Sequence, residues 1–137
     1  MSIRVSKPGS KRLKLSQDDW LEVKTHLTAG EQRGVFARMM RHGVDGDRID
    51  SVKVGLAKMV GYLIDWSFQD AKGDLIVIRD QSESVVESAL NAIDTDAYAE
   101  ALKAIEAHED EMDQVRSAGK NVPAGEKESS ATLQSVA

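Results

Sequence analysis

Three histidines, His26, His42 and His108, are the residues best suited to metal ligation or to proton transfer near neutral pH. No two of them stand at i, i+4, none adjoins a serine nucleophile motif, and zinc needs three or four converging ligands. Cysteine is absent, which removes thiolate ligands, thiolate nucleophiles and disulfides together. Surface or helix-end histidines are the expectation. Asp45-Gly46-Asp47-Arg48-Ile49-Asp50 has acids at alternate positions, as a calcium loop does. An EF-hand loop starting at Asp45 would also need glycine and glutamate where Asp50 and Leu56 stand. The carboxylate pairs Asp18 with Asp19 and Glu109 with Asp110 lie in polar stretches where nothing would desolvate one acid and shift its pKa. Glycines occur singly, without the GxxxxGK[ST] or GxGxxG spacing that cradles phosphate. The sequence therefore predicts no catalytic residue, no metal site and no cofactor. A protein that binds other proteins, and not an enzyme, is the expectation.

The chemistry that remains is apolar. Phe36, Met39 and Met40 recur at helical spacing, and methionine is a flexible side chain that repacks against varied partners. Tyr98, Ile105 and Met112 trace one face of a later helix. These six are the candidate partner-binding residues, with ordinary core packing as the competing account of the same spacing.

In the chain as a whole, 41% hydrophobic and 30% charged residues are ordinary for a globular protein, whereas 4% aromatics leave the core to Leu, Ile, Val, Met and Ala. A net charge of −5 gives no overall electrostatic footprint for nucleic acid or an anionic membrane. The charge is uneven: Arg4, Lys7, Lys11, Arg12 and Lys14 make the start basic, while Glu83 to Asp113 is acidic with Lys103 its only base. Such an arm can meet something acidic, a neighbouring copy included, or simply be a solvated, frayed terminus. No apolar segment follows the basic start and none approaches the length of a membrane span, so a soluble, unsecreted protein is expected.

The 137 residues fit one domain plus tails: a flexible basic N-terminus over 1–10, a mainly helical domain over 11–118, and a disordered tail over 119–137. Leu13 and Leu15, then Trp20-Leu21-Glu22-Val23-Lys24, alternate about a polar Ser16–Asp19 break, which predicts a hairpin. Thr28-Ala29-Gly30-Glu31 has capping-box spacing and should start a helix that ends near Arg41-His42 with Gly43 left-handed. A second helix, Ser51 to Trp66, is apolar over so wide an arc that it should be central, with Trp20 and Trp66 at least half buried. Gly55 and Gly61 inside it require close neighbours. Asp70–Asp74 reads as a turn, and Leu75–Ile78 as an extended segment available to the hairpin. A third helix should begin between Asp80 and Ser84, capped by Asp80 or Ser84. The last should start at Asp94–Asp96 and fray after about Met112, because acids near a helix C-terminus oppose its dipole. Together these give a four-helix, mainly α domain with a small β element.

Two blocks, and a final region after them, resemble the tail assembly chaperones of long-tailed phages, the lambda G protein-like family. The blocks are Asp19-Trp20-Leu21-Glu22-Val23-Lys24 with Leu27-Thr28-Ala29-Gly30-Glu31, and Leu63-Ile64-Asp65-Trp66-Ser67-Phe68-Gln69-Asp70-Ala71-Lys72-Gly73; the final region is Ile93-Asp94-Thr95-Asp96 through Glu106-Ala107-His108-Glu109. The resemblance spans roughly residues 18 to 110. It implies a non-enzymatic assembly factor in the cytoplasm of the infected host, absent from the finished virion. Its implied partners are the tape-measure protein and the tail-tube protein, with no nucleic acid and no membrane, and with self-association left open. The rival readings are a structural tail or connector subunit and a small nucleic-acid-binding regulator acting through the basic N-terminus.

Overall fold

The computed structural model of the chain describes residues 9–121. Its elements are β1 (Ser10–Lys14), β2 (Trp20–Lys24), α1 (Ala29–Met39), β3 (Met40–Arg41), β4 (Arg48–Ile49), α2 (Ser51–Tyr62), β5 (Leu63–Trp66), α3 (Glu83–Ala92) and α4 (Thr95–Asn121). This is a mainly helical fold of four helices with a small β element. Strands β1, β2 and β5 form an antiparallel sheet in that order, and β3 with β4 form a separate short ladder. The described residues divide into two compact units, one up to Ala107 and one from His108 onward, so the boundary falls inside α4.

The hairpin follows its alternation. Leu21 and Val23 are fully buried while Trp20, Glu22 and Lys24 are half-buried, the period of two that a strand demands. Strand β1 is an edge, and its exposed Lys11, Arg12 and Lys14 protect it from pairing with other chains. Ser10 already belongs to β1, so the structured hairpin begins inside the region expected to be a flexible arm. Residues 1–8 of that arm lie outside the described residues.

The capping box at α1 forms as expected, with Glu31 N–H donating to Thr28 Oγ1 at 3.2 Å and Thr28 N–H to Glu31 Oε1 at 2.9 Å. The exit differs from the expectation that Gly43 would take the left-handed conformation. Met40 turns extended and pairs with Ile49, and Asp50 N–H satisfies the Met39 carbonyl at 2.7 Å, so no glycine cap is needed. The positive φ falls on Gly46 instead, at 106°.

Helix α2 is capped by Asp50, whose Oδ1 accepts from Val52 N–H at 3.0 Å. It ends at Tyr62, four residues before the expected Trp66. Leu63–Trp66 becomes the third strand, with Leu21 opposite Trp66, Glu22 opposite Asp65 and Val23 opposite Leu63. A short apolar run fits either period, and the free edge of β2 decides for the strand. Both helix glycines have the close neighbours they require. A Cβ on Gly61 would lie 2.3 Å from Val35 Cγ2, and one on Gly55 would lie 2.8 Å from Leu102 Cδ2.

Leu75–Ile78 does not join the hairpin. Ile76 N–H donates to the Phe68 carbonyl at 2.9 Å and Leu75 bridges Gln69, so the segment folds back on the strand exit. Trp66 Nε1 donates to the Ile76 carbonyl at 2.7 Å, which satisfies the indole's one polar group in a fully buried side chain. Helix α3 is capped by Ser82, because Asp80 is itself left-handed at φ 61°. Asp94 caps α4 through Asp96 N–H at 3.0 Å. Helix α4 runs to Asn121 instead of fraying after Met112, and an Asp113–Arg116 pair at i, i+3 supports its later turns. The expected tail from Gly119 therefore starts as helix, and residues 122–137 lie outside the described residues. Trp66, Leu21, Met59, Leu90, Ile105 and Val23 are the largest fully buried side chains, and Trp20 is half-buried.

Candidate functional site

Ser67, the residue immediately after β5, stitches together two distant segments. Its Oγ accepts from Trp20 N–H and donates to Asp19 Oδ1, both at 2.9 Å, while its own N–H donates to the Trp20 carbonyl at 3.1 Å. Asp19-Trp20 and Trp66-Ser67 are thus neighbours because of β2–β5 pairing. The hairpin turn beside them holds Gln17 and Asp18 at φ 57° and 62°, a conformation that aspartate tolerates better than most residues. Glu100 anchors this turn from α4, accepting from Ser16 N–H at 2.7 Å and Ser16 Oγ at 2.9 Å.

Next to this junction lies a cleft of about 910 Å³. The hairpin turn forms one wall, the segment after β5 a second, and the α3–α4 junction a third. Phe68, Ile76 and Ile93 supply its apolar lining, and the Phe68 ring packs on Trp66 with centroids 4.9 Å apart. Asp18, Asp19, Asp70 and Asp94 supply carboxylates. None of these four pairs with a lysine or arginine among the described residues. Four carboxylates without a cation, set around an apolar lining, make a local negative field that favours a cationic, partly apolar occupant.

Acids on the sheet itself are handled differently. Glu22 and Asp65 stand directly opposite across β2 and β5, where like charges repel. Arg79 bridges them, bonding Glu22 and reaching Asp65 Oδ2 through Nε at 3.1 Å. The two carboxylates hold the Arg79 guanidinium above its ordinary pKa, Asp65 first through its hydrogen bond and Glu22 through its charge. Among the described residues this pair on the sheet is bridged by a cation, whereas the four acids at the cleft are not.

The six expected partner-binding residues occupy different settings. Phe36 is 53% exposed on α1, with Met40 half-buried one turn on and opposite the exposed Ile49. Met39 packs against the core. Ile105 is fully buried and offers no surface to a partner, a correction to its expected role that follows from its place in the core cluster. Tyr98 is half-buried beside that core, and burial pushes its phenol above the usual pKa. Met112 is half-buried in the second unit. His108 is 2% exposed and not a surface histidine, whereas exposed His42 sits 2.8 Å from Asp47 through Nδ1.

Sequence reasoning did not assemble the cleft. Asp18, Asp70 and Asp94 each read as turn or cap residues, which they are; strand pairing brings the loops of Asp18 and Asp70 together, and α4, tied to the hairpin turn through Glu100, adds Asp94.

The chain matches no known family, no curated protein and no solved structure. Among the described residues no helix is long and apolar enough to cross a membrane, and no group of three His, Cys, Asp or Glu side chains is placed to hold a metal ion.

Proposed function

We propose that this chain is a non-enzymatic phage tail assembly chaperone that binds the tape-measure protein and helps recruit tail-tube subunits. One observation carries the reading. Asp19 from the first resembling block, Ser67 to Ala71 from the second and Ile93-Asp94 from the final region all line the same cleft. Segments this far apart in sequence need not share a surface, and a shared surface with apolar and acidic lining is suited to an exposed segment of an unassembled client.

Binding there would cover client apolar surface that otherwise aggregates, using a preformed groove for apolar anchors and carboxylates for orientation. The exposed apolar side chains Phe36, Ile49 and Val52 provide a second contact for a long client. No step of such a role requires bond chemistry, and the partners are proteins.

The test is co-expression with the tape-measure protein encoded in the same genome. Its soluble fraction rises with this chain and falls back when Ala97, which lines the cleft, is replaced by arginine. An unchanged soluble fraction with the wild-type chain overturns the reading. Purified phage particles containing this chain at stoichiometric levels would point instead to a structural tail subunit.

A further inference from the structure

The cleft carries four carboxylates with no cation partner among the described residues, and the chain itself contains a segment of the complementary chemistry. Residues 1–8, Met-Ser-Ile-Arg-Val-Ser-Lys-Pro, combine Ile3 and Val5 with Arg4 and Lys7 and contain no acid. The tail beyond Asn121 is a poorer match, since Glu126 and Glu128 outnumber Lys127. We infer that the cleft of one copy binds the N-terminal segment of a second copy, with Arg4 and Lys7 facing its aspartates and Ile3 and Val5 against Phe68, Ile76 and Ile93.

The placement of the two ends argues for a second copy. Gly9 lies where β1 begins, its carbonyl accepting from Thr25 N–H at 3.1 Å at the open end of the hairpin. The cleft borders the turn at the other end, beyond Lys14. Strand β1 alone separates these ends by about 14 Å at roughly 3.4 Å per residue. Eight residues span at most about 27 Å when fully extended. A chain's own arm would have to reverse at Gly9 and spend over half its reach returning along the edge strand. A neighbour's arm enters without that reversal.

Because donor and acceptor surfaces differ, the contact is head-to-tail. Passed on from copy to copy it generates rings or open chains, whereas reciprocal exchange of two arms closes a two-fold dimer. Exposed ion pairs individually change binding by only about 1.4- to 5-fold, so the association is weak, salt-sensitive and reversible. The inference stands on the chemistry of the cleft and does not rest on the client proposed for it.

The absence of cysteine makes the decisive measurement clean, since Ser2→Cys gives one labelling site. Unenriched chain carrying a spin label at position 2 is mixed with nitrogen-15-enriched wild-type chain. Broadening of the enriched amides of Gln69, Asp70, Ala71 and Asp94 is expected. In the same buffer, sedimentation velocity should show association that grows with concentration and weakens with salt. Asp18→Asn with Asp94→Asn keeps the turn and the helix cap while removing two charges, and should weaken association roughly 2- to 30-fold. Arg4→Glu with Lys7→Glu should do at least as much.

No broadening in the mixed sample overturns the inference. Broadening seen only when label and nitrogen-15 share one chain places the arm in its own cleft and also overturns it. Association that the charge variants leave unchanged overturns it as well. None of these measurements contains a tape-measure protein, so each can fail while the co-expression result stands.

Discussion

Gly61→Ala and Gly34→Ala are the same chemical change in two helices and should have opposite effects. Alanine is favoured over glycine by about 1 kcal/mol inside a helix. Nothing lies within 4 Å of the position a Cβ would take at Gly34, so that substitution should realise the gain. At Gly61 the new methyl would sit 2.3 Å from Val35 Cγ2, over an ångström inside ordinary contact. Val35 is buried, and its branched side chain is stiff at χ1, so α1 and α2 must separate or Val35 must leave its rotamer. Overpacking of this kind typically costs about 1–3 kcal/mol, leaving Gly61→Ala destabilised by roughly 1 kcal/mol after the propensity gain. Gly55 is a weaker case, because the atom it faces is the mobile end of Leu102.

Urea unfolding followed by far-ultraviolet circular dichroism resolves this, since roughly 1 kcal/mol moves a midpoint by about 0.5 M. The sign should invert in a Val35→Ala background. There the added methyl occupies vacated space, and Gly61→Ala becomes stabilising by up to about 1 kcal/mol. If Gly61→Ala raises the midpoint as much as Gly34→Ala with Val35 in place, the close helix approach is wrong and with it the account of why α2 carries a glycine there.

Four further outcomes are expected. Lys24, at 2.6 Å, and then the Thr28 N–H hold the Glu31 carboxyl below its usual pKa. Its folded value lies below its unfolded value, so the stabilisation is present above about pH 4.3 and lost as pH falls through the folded value. Glu31→Gln should cost about 0.5–1 kcal/mol at pH 7, with the gap to wild type closing in acid, measured by urea unfolding across pH. Arg79→Ala should lower the unfolding midpoint by exposing Glu22 to Asp65, and adding Glu22→Gln should recover part of the loss; no recovery would show that Arg79 does not act by bridging them. Glu100→Ala should cost about 1 kcal/mol and broaden the amide resonances of Gln17 and Asp18, because two hydrogen bonds to Ser16 are lost. Acrylamide should quench half-buried Trp20 but leave fully buried Trp66 nearly untouched, compared through Trp20→Phe and Trp66→Phe.

Local signals were legible where one element decides its own fate. The Thr28 capping box, the alternation of Trp20–Lys24, the turn at Asp70–Asp74 and the Asp94 helix start all depend on residues within a few positions of each other. What was not legible depended on a partner elsewhere. Leu63–Trp66 continues an apolar helix pattern, and only the open edge of β2 turns it into a strand. Met40 could have continued α1, and its pairing with Ile49 stops it. Ser82 caps α3 in preference to Asp80 because of a backbone conformation that composition does not reveal. The cleft failed to appear for the same reason, since two of its walls are joined by β2–β5 pairing and the third comes from the distant α3–α4 junction. Ile105 shows the converse error: helical spacing identified a buried face, and the face was buried by the chain's own core.

The pairing of β2 with β5 also sets an order on folding. Strands β1 and β2 meet across a tight turn and can zip locally, whereas β5 reaches β2 only after the whole excursion through α1, the β3–β4 ladder and α2 has been closed. Closing that loop is an entropic barrier that local helix formation reduces by shortening the effective path. The Ser67 junction and the cleft cannot exist before this event. A growing chain that has released only the hairpin and α1 therefore has no acidic groove to offer, and the groove is complete only once the α3–α4 junction has supplied its last wall.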